Sequence, residues 1–301
     1  MQKLPVLFTA FFIQHFCAPA VTAQTTGNNA LLWEISGNGL SKTSYLYGTM
    51  HMICAEDFMM GEQLKEKFKA SQKVYLEVDM DDPAMNMKMM QLSMLQGKKL
   101  SDIFSDSDYH KLNIFFRDTI GMPLTLLNTM KPFILFSILT QKSLPCSEQE
   151  SYELTFIEMA KAQSKEVLGL ETIEEQMKIF DNMPDSLQVQ MVMRFVDEFY
   201  VQKKEFAKMA AAYKQQDLDA IYQHIMSSPD IAGSEEVLLF NRNKKWIPIM
   251  EKAMQKEKVF FAVGAGHLGG PEGVINLLKE KGYTVKGIRE RERQSAEKQI
   301  I

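Results

Sequence analysis

The sequence predicts an α/β fold in which strands from both ends of the chain form one sheet and a largely helical segment is inserted between them. Three observations support this. Short runs of branched and aromatic residues lie near the two ends, and such runs are typical of strands. Helical spacing of apolar residues dominates about residues 84–250. One strand near each end is followed by the same motif, Gly-x-x-His, and then by a predicted helix.

The amino-terminal part predicts three strands and one helix. The strands are short apolar runs bounded by turn-forming residues, and the helix has apolar residues at helical spacing. The strands are expected at 31–36, 44–49 and 74–78, and the helix at 62–71.

One further strand is predicted within the helical middle, and two strands with a helix between them are predicted in the carboxyl-terminal part of the sequence. Pro271 is suited to the start of a helix, and Gly282 to its end. The charged residues 289–301 are expected to fray. The elements expected, in order, are strand 166–170, strand 259–263, helix 272–281 and strand 283–288.

Residues 1–23 have the pattern of a secretory signal peptide. Lys3 gives a charged start, 4–13 is an apolar run, and Val21-Thr22-Ala23 is a small-residue cleavage site. We therefore expect residues 24–301 to form one exported domain, periplasmic or extracellular. No later run approaches the roughly 18 apolar residues of a membrane span, so none is expected after cleavage.

Cleavage as a lipoprotein is the weaker alternative, because His15-Phe16 before Cys17 is a poor lipobox.

The composition is that of a globular protein, with 46% hydrophobic and 24% charged residues. A formal net charge of −4 lacks the basic surface that nucleic-acid binding requires, so no nucleic-acid partner is expected.

Two cysteines remain after cleavage, Cys54 and Cys146. In an exported protein they could form a disulfide. They could equally be two buried thiols that never meet, because the sequence gives no distance between their Cα atoms.

The two Gly-x-x-His motifs end at His51 and His267, and a third strand carries Glu77 among apolar residues. Parallel strands hold ligands at their carboxyl ends, so these side chains could meet there. Two histidines and a carboxylate are a common catalytic metal set. Each residue could instead be a hydrogen-bonded structural group. His110 and His224 are assigned to a surface helix start and a helix end, outside the site.

Two other patterns have alternative explanations. The loop Gly264-Ala-Gly-His-Leu-Gly269 fits a dinucleotide fingerprint, but the acidic residue and further units of a Rossmann fold do not follow. Met87, Met90 and Met94 form a helical stripe, which favours a core or a partner groove over a copper site.

Five parts of the sequence together indicate a family: LLWEISG with SYLYGTMHM, VYLEVD, EVLGLETIEEQ, RNKKW and FAVGAGHLGGPEGVINLLKEKGYTV. Through these segments the chain resembles the TraB/PrgY/GumN family, whose animal relatives are the Tiki proteins. The resemblance implies an α/β fold shared with erythromycin-esterase-like and ChaN-like proteins. It also implies a divalent ion, manganese or cobalt with zinc as a further possibility, bound by His51, His267 and Glu77. Glu77, Glu171 and Arg242 would be the catalytic residues.

We therefore expect an exported metal-dependent hydrolase, a Tiki-like protease with a peptide or protein substrate. Arg242 would stabilise developing negative charge, and Glu171 could act as general base or as a structural acid. Two alternatives remain: a non-catalytic exported protein that binds a peptide or partner, and a metal-free esterase-like hydrolase that uses histidine as its base.

Overall fold

The computed structural model describes residues 29–229 and 231–290. It confirms the α/β class. The predicted signal peptide and most of the predicted charged tail lie outside the described residues. The strands are β1 (Leu32–Gly37), β2 (Ser44–Thr49), β3 (Ile53–Cys54), β4 (Lys73–Val78), β5 (Gln149–Glu150), β6 (Glu166–Glu171), β7 (Val259–Gly264) and β8 (Tyr283–Ile288).

Six of these strands form one mixed sheet in the order β6-β4-β7-β2-β1-β8. The four strands β6, β4, β7 and β2 are mutually parallel, whereas β1 pairs antiparallel with both β2 and β8. The carboxyl ends of the four parallel strands therefore lie at the same edge of the sheet. The remaining strands, β3 and β5, form a small antiparallel ribbon.

The segment between β4 and β7 is largely helical, as predicted, with β5 and β6 interrupting it. Single π-helical turns extend the helices at 116–120 and 236–240. The helices are α1 (Glu62–Ala70), α2 (Met85–Leu92), α3 (Asp106–Phe115), α4 (Pro132–Lys142), α5 (Tyr152–Ala162), α6 (Ile173–Asp181), α7 (Asp185–Asp197), α8 (Phe199–Lys214), α9 (Leu218–Met226), α10 (Asn241–Met254) and α11 (Val274–Glu280).

The main hydrophobic core surrounds the sheet. Strand β7 lies in the middle of the sheet, and residues Val259–Val263 are all buried, as expected for a parallel strand covered on both faces. Burying each such large side chain contributes about 1.5–3 kcal/mol. A second cluster, which includes Phe116, Leu135 and Phe195, lies among the helices of the middle segment. The sheet positions most of the residues described below, and helices α5 and α10 position the others.

The predicted strands agree with the observed ones to within one residue at each end, because continuous apolar runs and strong turn formers mark them. The last helix differs. Helix α11 begins at Val274 and not at Glu272, and Pro271 lies outside it. The reason is local: Gly270 has a φ of +78° and Gly273 is extended, so the glycine loop continues further. Gly282 follows the helix with a φ of +91°, as predicted.

Cys54 and Cys146 form a disulfide, with their Cα atoms 5.8 Å apart. The disulfide lies beside the β3–β5 ribbon, in which Cys54 pairs with Gln149. Of the two possibilities that the sequence left open, the disulfide is therefore the one adopted. Within the described part of the chain, every helix is too short or too polar to cross a membrane.

Candidate metal centre at the carboxyl edge of the sheet

The residues singled out in the sequence meet at the carboxyl edge of the parallel strands. Glu77 is the next-to-last residue of β4, and Glu171 ends β6. His51 follows the end of β2 by two residues, and His267 ends the short 3-10 turn after β7. Arg242 reaches the same place from the start of α10. Because these strands are parallel neighbours, residues far apart in the chain converge here.

Glu77 is the centre of the arrangement. Its Oε1 atom accepts a hydrogen bond from the backbone N–H of Gly264 at 2.8 Å. The same atom lies 3.8 Å from Nε2 of His51 and 3.8 Å from Nε2 of His267. Burial by itself would raise the pKa of Glu77, but interactions with the neighbouring groups, His267 and Arg242 foremost, hold it below its ordinary range. The carboxylate therefore stays ionised although it is buried.

Gly264 leaves room for this arrangement. A Cβ atom at that position would lie 3.3 Å from Oε1 of Glu77 and 3.4 Å from Nε2 of His51. The first glycine of the second Gly-x-x-His motif thus allows the backbone to approach the carboxylate and imidazole closely.

His51 is oriented by a buried carboxylate from α5. Its Nδ1 atom lies 2.9 Å from Oε1 of Glu153. Glu153 in turn accepts hydrogen bonds from Oγ1 of Thr49 at 2.6 Å and from Oγ of Ser151 at 3.2 Å. Partial desolvation opposes the charge of the imidazole, but the Glu153 carboxylate outweighs it and raises the pKa of His51 to about 9. Nδ1 is thereby held as a donor, and Nε2 is directed towards Glu77.

His267 is oriented in the same way by a neutral group. Its Nδ1 atom lies 2.7 Å from Oδ1 of Asn243. The Asn243 amide nitrogen donates to the carbonyl oxygens of His267 and Glu272, which leaves Oδ1 as the acceptor for the imidazole N–H. Burial, with the positive charge of Arg242, lowers the pKa of His267 to about 3 against the opposing effect of Glu77. This imidazole is neutral, with the Nε2 lone pair directed towards the site.

Arg242 connects the two buried glutamates. Its guanidinium donates to Oε1 of Glu171 from Nε at 3.0 Å and from NH2 at 2.6 Å. NH2 also donates to Oε2 of Glu77 at 2.5 Å, and NH1 lies 3.1 Å from Nε2 of His267. The guanidinium stacks 4.9 Å from the ring centre of Trp246. Buried pairs of this kind need several hydrogen bonds to offset desolvation, and this one has them.

Glu171 is engaged by its neighbours. Besides Arg242, its Oε1 atom accepts from the side-chain amide of Gln176 at 3.1 Å. Burial raises the pKa of Glu171, while Arg242 opposes that rise. Glu171 therefore holds the guanidinium in place through both of its oxygens.

Three residues of this cluster were not identified in the sequence: Glu153, Asn243 and Gln176. Asn243 could have been found, because it follows Arg242 directly in the segment that carries the family resemblance. Glu153 had no such signal, since it lies 102 positions from His51 in a helix with no recognised motif.

The other sequence candidates lie elsewhere. His110 is exposed on α3, and His224 is on α9, 3.8 Å from Glu205. Met87 and Met90 of α2 have 63% and 68% of their surface exposed. A place in the core is therefore wrong for these two methionines.

The donor groups suit a divalent ion, since two imidazole Nε2 atoms and one carboxylate oxygen are presented to the same space. A bound ion would displace the proton that the raised pKa of His51 keeps on its Nε2 atom. As they stand, no three His, Cys, Asp or Glu side chains within residues 29–229 and 231–290 are close enough together to enclose an ion. The separations of 3.8 Å from Glu77 would have to shorten to suit metal–ligand bonds of about 2.0–2.2 Å.

Comparison with known proteins identifies the class. The family model described as TraB/PrgY/gumN family matches residues 31–287, and the chain belongs to this family. The match covers every strand of the sheet except the last residue of β8. The cluster of His51, Glu77, Arg242 and His267 lies within it.

Several curated relatives carry the name of an enzyme. Metalloprotease TIKI1 of Danio rerio is 22% identical over 318 residues, which is 86% of this chain and 63% of that protein. Metalloprotease TIKI2 of Xenopus tropicalis is 23% identical over 319 residues, which is 86% of this chain and 60% of that protein. The chain thus spans somewhat over half the length of these relatives. No solved structure matches it.

Proposed function

We propose that this protein is a metal-dependent hydrolase that cleaves peptide bonds, with one divalent ion held by His51, His267 and Glu77. The observation that carries the proposal is the orientation of the two imidazoles. Each Nδ1 atom has an acceptor, Glu153 or Asn243, so each Nε2 atom is directed towards the same oxygen of Glu77. Second-sphere acceptors of this kind are typical of metal-binding histidines.

The likeness to metalloproteases supports the reaction class. A bound divalent ion would lower the pKa of a water molecule and polarise the scissile carbonyl. Arg242 would stabilise the negative charge that develops on the substrate, because its guanidinium is already fixed and shielded from water. Glu171 supports this role by holding Arg242 in place. Manganese or cobalt remains the proposed ion, on the family resemblance.

Export is part of the proposal. A disulfide between Cys54 and Cys146 is typical of proteins outside the reducing cytosol, and it agrees with the signal peptide expected in residues 1–23. Amino-terminal sequencing of the protein recovered from its native host is expected to start at Gln24. An intact Met1 terminus on the recovered protein would refute export by cleavage.

The test measures metal content and peptide cleavage on the purified chain 24–301. The His51→Ala and His267→Ala variants are expected to lose the bound ion and the cleavage of a peptide library read by mass spectrometry. His110→Ala is the matched control, because that histidine is exposed and distant in the fold. If both site variants retain metal and activity, the proposal is wrong.

The same experiment separates the two alternatives. The guanidinium of Arg242 contacts Nε2 of His267, an arrangement that would also suit a site without metal. Peptide binding that survives a chelator, without turnover, would favour a non-catalytic binding protein. Ester hydrolysis that resists the chelator but requires His51 or His267 would favour a metal-free hydrolase.

A further inference from the structure

A cavity of about 540 Å³ lies between the sheet and α10. Residues of β4 and β6 form one wall, and the second half of α10 forms the other. None of the proposed metal ligands lines it. The lining residues are Lys73, Tyr75, Leu168, Gly169, Pro248, Ile249, Lys252, Ala253, Lys256, Glu257 and Val259.

The cavity shares both of its walls with the metal centre. On β4, Tyr75 precedes Glu77 by two residues on the same face of the strand, which corresponds to about 7 Å. On α10, Ile249 follows Arg242 by two helical turns on the same stripe, or about 10 Å. The Arg242–Glu77 ion pair therefore lies beyond the near end of the cavity, at the distances just given from Tyr75 and Ile249. The Lys73–Glu257 ion pair, at 3.3 Å, bounds the far end.

The lining combines an apolar floor with a positive rim. Tyr75, Leu168 and Ala253 are half-buried, and Ile249 is 38% exposed. Lys73 is already paired with Glu166 and Glu257. By contrast, two exposed lysines of the lining make no ion pair with any residue the structure describes; they are Lys252, near the end of α10, and Lys256, two residues beyond it.

We propose that this cavity is a substrate subsite that takes an apolar side chain of a peptide, followed by an acidic side chain held by Lys252 and Lys256. The apolar side chain would cover Tyr75 and Ile249, which are otherwise open to solvent. The acidic side chain would complement the unpaired ammonium groups. Because these lysines lie at the solvent rim, an internal acidic residue can reach them while the chain continues outwards. The proposal rests on the proposed peptide hydrolase and deepens it by naming a substrate class.

The test is a binding measurement in the presence of a chelator, so that neither metal nor turnover affects it. A dye-labelled peptide that contains Leu-Glu and has an amidated carboxyl terminus is titrated with the chain 24–301, and fluorescence anisotropy is recorded. Two comparison peptides replace Leu-Glu by Leu-Gln or carry the free carboxyl terminus without the acidic side chain. The Leu-Glu peptide is expected to bind about fivefold more tightly than the Leu-Gln peptide, the size expected of two exposed charge contacts.

Three variants probe the two parts of the subsite. The Lys252→Gln/Lys256→Gln double variant is expected to abolish the preference for Glu over Gln. Ala253→Trp, which fills the cavity, is expected to weaken the binding of both the Leu-Glu and the Leu-Gln peptide at least tenfold. Lys142→Gln, an exposed lysine on α4, is the matched control and is expected to bind as the unmodified chain does. Thermal unfolding checks that Ala253→Trp is folded, and the lysine variants decide the result if it is not.

Three results would overturn the proposal: equal binding of the Leu-Glu and Leu-Gln peptides, a preference for the free carboxyl terminus over the acidic side chain, and no binding of any peptide. These outcomes are distinct from failure of the proposed hydrolase, which would appear as unchanged metal content in the His51→Ala and His267→Ala variants. If the Leu-Glu peptide binds as expected but no metal-dependent cleavage is found, the proposed subsite stands and only the proposed hydrolase is refuted.

Discussion

The Nδ1 atom of His51 lies 2.9 Å from Oε1 of Glu153, although the two residues are 102 positions apart in the chain. Glu153 is 5% exposed and is itself held by the hydroxyl groups of Thr49 and Ser151. The imidazole has 63% of its surface exposed, so packing alone does not fix its orientation. The buried carboxylate therefore does so, and it connects the first Gly-x-x-His motif to α5.

Glu153→Gln is expected to weaken the binding of a divalent ion by about 10–100-fold, because a neutral amide holds the imidazole less firmly and makes Nε2 less basic. Isothermal titration with Mn²⁺ measures the change. Glu150→Gln, an exposed residue on the neighbouring ribbon, is the control. Equal affinities for Mn²⁺ in the Glu153 variant and the unmodified chain would show that Glu153 does not support a metal ligand.

The contribution of His51 to stability is expected to depend on pH. Its pKa rises from 6.5 in the unfolded chain to about 9 in the folded one, so the folded state binds the proton more tightly. The stabilisation is therefore complete below about pH 6.5 and is lost as the pH rises through 9. Urea unfolding of the metal-free chain and of His51→Gln, at pH 6 and at pH 9.5, measures this difference. A stability gap between the two proteins that widens with increasing pH would contradict the prediction.

Loss of the disulfide is expected to destabilise the fold by roughly 4 kcal/mol, because it closes a loop between cysteines 92 residues apart. The disulfide also fixes the β3–β5 ribbon, in which Ile53 pairs with Glu150. Ile53 follows His51 by two residues, and Glu150 precedes Glu153 by three, so the ribbon connects the two site residues. Urea unfolding of the Cys54→Ala/Cys146→Ala variant measures the change, with the reduced unmodified chain as a second sample. If the variant and the oxidised chain unfold at the same urea concentration, the disulfide has no such role.

Arg242→Gln is expected to destabilise the chain by about 3–5 kcal/mol, since it removes the guanidinium that pairs with the buried carboxylates of Glu77 and Glu171. Arg242→Lys restores one charge but not the forked hydrogen bonds, and should lose less. Chemical unfolding at pH 7 ranks the three proteins. A Gln variant as stable as the unmodified chain would mean that the two carboxylates become protonated or hydrated at little cost.

The sequence by itself determined the strand positions and three of the residues in the centre. Strands β2, β4 and β7 are short segments rich in branched and aromatic residues, and such segments predict strands. His51, His267 and Glu77 could be singled out because each lies at the end of such a strand. Their meeting at one edge then follows from the parallel order of the sheet.

Only the tertiary structure decided which groups support those residues. Glu153 and Cys146 reach the site or its supporting ribbon from the helical segment, whose periodic patterns define helices but not which helices meet the sheet. Arg242 was indicated by the family resemblance, but its partners were not. Hydrogen bonds between distant residues depend on side-chain directions, and these are set only once the helices have packed on the sheet. For this reason the disulfide and the orienting carboxylate of His51 could not be obtained from local sequence alone.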